Sequence, residues 1–114
     1  MVDDCLFCKI VSGVVPCIKV FEDNDILAFN DIEPKAPVHI LIIPKKHYAT
    51  LNDFPLTELP LVAKMVKLVQ KLSREMAVDA TGYRTTINTN KDAGQTVFHV
   101  HLHMIGGKPL GTMA

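Results

Sequence analysis

The chain has 114 residues, 12 basic and 12 acidic side chains and no net charge at neutral pH, so bulk charge gives no reason to expect a nucleic-acid partner. This length suits a single domain over residues 1–114, and no apolar run approaches the roughly 18–20 residues of a membrane span. The acidic start MVDDCLFCKI does not suit a secretion signal, and the three cysteines, Cys5, Cys8 and Cys17, are an odd number, so a reducing, cytoplasmic setting is expected.

In chain order, CLFCKIVSG reads as a short helix stopped by Gly13. CIKVFED and DILAFND alternate apolar and polar residues on either side of Asn24, the pattern of a hairpin. PVHILIIP is a β-branched run between prolines and predicts a buried strand. A long helix is expected from about Leu56 to Met76, with Val62, Met65, Val66, Val69, Leu72 and Met76 as its apolar stripe. Leu61 and Leu68 fall off that stripe, as exposed leucines or part of a subunit contact, and Gly82 in DATGY ends the segment. YRTTINTN and FHVHLHMI predict two further strands joined by the turn-rich NKDAG. The pattern is α+β: an antiparallel sheet covered on one face by one long helix.

Three of the five histidines fall on alternate positions of one predicted strand, His99, His101 and His103. Side chains at i, i+2 and i+4 share a face, so the three imidazoles line up opposite an apolar row of Val100, Leu102 and Met104. The row spans about 13 Å, too long for one metal ion to hold all three. A neutral imidazole is a good nucleophile, so His101 in the centre can attack while His103 donates to an oxyanion. Gly94, Gln95 and Thr96 add amide, carboxamide and hydroxyl donors just upstream, and Gly106 and Gly107 permit close backbone approach. Donors gathered around an imidazole suit a phosphate under attack. The Cys5–Cys8 pair is a chance spacing, a redox pair or half of a zinc site. His47, just past the end of the buried strand, and His99 are candidates for the other half. Four protein ligands would make such a site structural and leave no open position for catalysis.

HVHLHMI fits the alternating histidine signature of the histidine-triad (HIT) family, and the whole chain resembles its Hint branch of purine nucleoside phosphoramidases. The likeness extends through CLFCKIVSG, LAFNDIEPKAPVHILIIPKKH and NTNKDAGQTVFHVHLHMIGGKPLG, and the CxxC and KPLG segments look bacterial. It implies an antiparallel sheet with one long helix, the sheets of two protomers joining across a homodimer. It also implies a purine nucleotide substrate such as an AMP conjugate, a structural zinc, and no catalytic metal. By position, His101 matches the residue that carries a covalent nucleotidyl group, His103 the phosphate contact, His99 the first triad histidine and His39 a further site histidine. Asp31 matches the ribose-binding carboxylate; Asn88, Gln95 and Thr96 match phosphate-side polar residues. Phe7, Ile10, Phe29, Ile32 and Leu41 match the walls of the base pocket, and Cys5, Cys8, His47 and His99 the zinc ligands of CxxC members. Asn30 stands where eukaryotic members carry histidine, and the end GGKPLGTMA lacks their tryptophan-bearing tail. The activity implied is hydrolysis of nucleoside 5′-phosphoramidates, with dinucleoside polyphosphate cleavage as a variant. An AMP-sensing regulatory module and a zinc-stabilised interaction domain are the readings that need no nucleophile.

Overall fold

In the computed structural model, which describes residues 4–113, one aspartate makes the first hairpin. Asp23 Oδ1 accepts the N–H groups of Asp25 and Ile26, both at 2.8 Å. This local turn lets the chain reverse between β1 (Lys19–Glu22) and β2 (Ile26–Asn30). β3 (Val38–Pro44), helix α2 (Leu59–Glu75), β4 (Tyr83–Thr86) and β5 (Leu102–Gly106) follow, and a six-residue helix, α1 (Leu6–Val11), precedes them all. The strands form one antiparallel sheet in the order β1-β2-β3-β5-β4. The α+β architecture with one long helix is the one expected. No described helix is long and apolar enough to cross a membrane.

The central strands are apolar on both sides, and both sides are covered. Ile26, Ala28, Ile40, Ile42, Leu102 and Met104 pack with α2. Leu27, Phe29, Leu41 and Ile43 point the other way, against Phe7, Cys8 and Ile10 of α1. The expectation of a sheet covered on one face is therefore corrected: the short N-terminal helix closes over part of the second.

The buried stripe of α2 is Leu61, Met65, Leu68, Val69 and Leu72, at i, i+4, i+7, i+8 and i+11. Leu61 and Leu68 are thus core residues, whereas Val66 is 48% exposed and Met76 37%. The expected and observed stripes share Met65, Val69 and Leu72, and only the position of the sheet decides which flank of that line is inward. The helix starts at Leu59 after a separate 3-10 turn over Leu56–Glu58, and it ends well before Gly82. Its end is a Schellman closure: Ala77 N–H donates to the Arg74 carbonyl at 3.2 Å and Val78 N–H to that of Ser73 at 2.9 Å. Ala77 takes φ 58 there, where glycine is the usual residue.

The ladders are also shorter than the sequence pattern. β4 stops at Thr86 and β5 starts at Leu102, so His99 and His101 lie outside the paired strand. The glycine pair does permit close approach, here of the chain to itself. A Cβ on Gly106 would meet Tyr83 Cβ at 3.1 Å, and one on Gly107, at φ 94, would meet Pro37 Cβ at 3.1 Å.

Chemical denaturation will separate the two stripes. Leu68→Ala should cost about 2–4 kcal/mol and Val66→Ala less than about 1 kcal/mol. Ala77→Gly should stabilise by about 1 kcal/mol by relieving the left-handed backbone.

Candidate functional site

Although residues 99–101 precede the ladder, they keep its alternation. Val100 joins Leu102 and Met104 in the core under α2. His99 and His101 turn to the opposite side, where the ring of Phe7 meets both edge-on, at 5.9 and 5.0 Å between centroids. His103 pairs in register with Leu41 on that side.

His99 is fully buried, and its Nε2 lies 2.7 Å from the Pro44 carbonyl oxygen. A carbonyl only accepts, so Nε2 carries the proton and Nδ1 presents a lone pair. That lone pair looks onto two thiols, Cys5 Sγ at 3.4 Å and Cys8 Sγ at 3.5 Å, and His47 Nδ1 lies 3.4 Å from Cys8 Sγ. All four ligand atoms lie within 4.8 Å of one another. A tetrahedral zinc with its usual Zn–S and Zn–N bonds separates sulfur from nitrogen by about 3.6 Å, so these spacings fit such an ion. The second-nitrogen bond to a carbonyl is also the usual way a ligating imidazole is held. Burial raises the Cys5 thiol above its ordinary range; a bound cation would supply the charge that lets the pair ionise. Four protein ligands would leave such an ion no open position, the arrangement of structural zinc sites.

His101 is 7% exposed, and its Nδ1 lies 2.8 Å from the His99 carbonyl oxygen. The proton therefore sits on Nδ1, and Nε2 is left bare as a potential nucleophile. Burial lowers the pKa of this ring, which favours the neutral form.

A third imidazole is held by an amide. His39 Nδ1 accepts the Lys35 N–H at 3.0 Å, which puts the proton of neutral His39 on Nε2. His39 Nε2 lies 3.0 Å from His103 Nδ1 and 3.3 Å from Asp31 Oδ2. Donation to His103 Nδ1 leaves the proton of that ring on its own Nε2, as a donor. Burial, then the neighbouring His101 and His39, push His103 down to about 4, so it too is neutral near pH 7. Asp31, His39 and His103 also bring three ligand atoms within 4.8 Å of one another. A protonated His39 Nε2 cannot ligate, however, so among the described residues the thiol-containing cluster is the one whose four ligand atoms are all free to bind a metal.

The remaining candidates divide. Phe7, Ile10, Phe29 and Leu41 are buried in one cluster, but Ile32 is 95% exposed and stands apart from that wall. The Asp31 carboxylate follows β2 and also accepts the Glu33 N–H at 2.8 Å. Thr96 is exposed and Asn88 half-buried. Gln95 is engaged with the main chain: Oε1 accepts Asn90 N–H at 2.8 Å, and Nε2 donates to the carbonyls of Ala49 and Val97 at 2.7 and 3.1 Å. It braces the loop that presents Thr96. Reasoning from side chains missed the Pro44 and His99 carbonyls and the Lys35 amide, which every sequence carries and no motif marks.

A model of the HIT domain matches residues 12–110, a span that begins beyond Cys5 and Cys8. A HIT-like protein of Chlamydia pneumoniae is 46% identical over 96% of this chain and 98% of its own. The purine nucleoside phosphoramidase of Escherichia coli K12 is 38% identical over 99% of this chain and 95% of its own. Among solved structures, a histidine triad protein from Clostridium difficile superposes with a TM-score of 0.95 at 44% identity, covering 100% of this chain and 99% of that one.

Metal analysis of protein purified without chelator should find about one zinc per chain and none in Cys5→Ser/Cys8→Ser. Two would contradict the protonation assigned to His39. A structural zinc contributes on the order of 10 kcal/mol at neutral pH, so a chelator should visibly lower the melting temperature.

Proposed function

This chain belongs to the HIT family, and from that membership we propose that it is a hydrolase of nucleoside 5′-phosphoramidates or related nucleotidyl conjugates, working through a nucleotide bonded to His101. The observation that carries this reading is the bond from His101 Nδ1 to the His99 carbonyl, which leaves one ring nitrogen free of its proton. In the first step His101 Nε2 attacks the α-phosphorus and the bond to the leaving amine breaks. The amine departs with a proton from solvent. Water then attacks the same phosphorus, the P–Nε2 bond breaks, a proton is released, and the nucleoside monophosphate leaves with the imidazole restored. The His103 Nε2–H donates to phosphate oxygens as charge builds on them.

The rest of the substrate finds matching chemistry nearby. The Asp31 carboxylate accepts sugar hydroxyls, and Phe7, Ile10, Phe29 and Leu41 supply an apolar wall for the base. Thr96 and Asn88 add polar groups on the phosphate side. Purine preference is supported by the name of the E. coli relative, a purine nucleoside phosphoramidase. Zinc, held by Cys5, Cys8, His47 and His99, anchors α1 and takes no part in the reaction. The same reading places the protein in the cytoplasm as a homodimer joined through its sheets, so sedimentation at micromolar concentration should return two chains. A binding module with incidental turnover has no need of the bare nitrogen on His101.

His101→Ala should lower turnover of an adenosine phosphoramidate by more than about a thousandfold while leaving monophosphate binding within a few-fold. Mass spectrometry of quenched wild-type reactions should show one nucleotidyl adduct, on His101. Equal rates for variant and wild type would overturn the hydrolase reading.

A further inference from the structure

One proton stands between two acceptors in this site. The His39 Nε2–H is hydrogen-bonded to His103 Nδ1 at 3.0 Å, and Asp31 Oδ2 lies 3.3 Å from the same nitrogen. His39 is 4% exposed, and the Lys35 N–H on its other nitrogen would be lost if the ring turned over. Asp31 is held as well, through Oδ1 and the Glu33 N–H. Neither partner can leave the contest by simple rotation. A carboxylate is a stronger acceptor than a neutral imidazole, so a free Asp31 competes with His103 for the His39 N–H. A neutral histidine without a firm partner at Nδ1 samples both tautomers, and only one of them carries the donor proton on Nε2.

We propose that His39 is a positioning residue that couples occupancy of Asp31 by sugar hydroxyls to the donor state of His103. Hydroxyl groups donated to Asp31 satisfy its carboxylate. The His39 N–H then passes to His103 Nδ1 and fixes the His103 proton on Nε2. Sugar recognition in this way prepares the phosphate side before any bond changes, so contacts remote from phosphorus are expressed in the rate as well as in binding. The role of the two ligand groups rests on the function proposed above; the sharing of the His39 proton does not.

The test combines imidazole 15N spectra with kinetics. With saturating adenosine 5′-monophosphate, the His103 shifts should report a bare Nδ1 and a protonated Nε2. With saturating 2′,3′-dideoxyadenosine 5′-monophosphate or inorganic phosphate they should stay at the averaged values of the free protein. In turnover of adenosine phosphoramidate, removing both hydroxyls should lower kcat of the wild type about tenfold. In His39→Leu the same removal should change kcat less than about twofold and act on KM alone. His39→Gln, which retains an N–H donor, should restore most of the wild-type sensitivity. An identical His103 spectrum with the two nucleotides, or equal kcat sensitivity in wild type and His39→Leu, would overturn the coupling. Absence of turnover with every substrate would instead count against the hydrolase reading, and the spectra, which need no chemistry, would still decide this one.

Discussion

Three buried imidazoles each have one nitrogen tied to the main chain, and the work assigned to the site follows from which nitrogen is tied. The Pro44 carbonyl takes His99 Nε2–H and frees Nδ1 for the thiol cluster. The His99 carbonyl takes His101 Nδ1–H and leaves Nε2 without a proton. The Lys35 amide occupies His39 Nδ1 and directs the remaining proton toward His103 and Asp31. The same side chain is thereby held in three protonation arrangements, suited in turn to a metal ligand, a nucleophile and a hydrogen-bond donor. Backbone groups are well suited to this because their positions are fixed by the fold and they do not titrate.

The two faces of the sheet divide the labour. The face under α2 holds the larger apolar cluster, with Met65, Leu72, Ile42 and Met104 at 1% exposure or less. The opposite face carries the imidazoles, and its apolar cover is a helix of six residues. A helix that short does not persist alone in water. Burial of Phe7 and Ile10 contributes roughly 1.5–3 kcal/mol each, well below what a four-ligand zinc centre at the start of α1 can contribute. A zinc ion held by these four ligands would accordingly be the stronger tether of α1.

That tether reaches the candidate nucleophile through one side chain. Phe7 lies between Cys5 and Cys8 in sequence, and its ring meets His101 nearly perpendicularly, at 87°. The edge of an aromatic ring against an imidazole fixes its plane and excludes water without offering a competing proton acceptor. The thiol-containing cluster and the His101 ring are thus neighbours joined by packing through Phe7.

Much of this was legible in the residues themselves. Alternation in HVHLHMI placed the histidines on one face and Val100, Leu102 and Met104 on the other, because side-chain direction in an extended chain depends only on position parity. The Cys5–Cys8 spacing with His47 and His99 pointed to a cluster of four side chains whose ligand atoms converge. The sequence could not say which flank of α2 faces inward, since Leu61 and Leu68 or Val62 and Val66 complete the same central line. Nor could it show that Gln95 is occupied with the main chain or that Ile32 is open to solvent. Above all, it could not choose the proton position on any ring. That choice is made by carbonyls and amides common to every residue type, and only tertiary structure brings the right one within hydrogen-bonding distance.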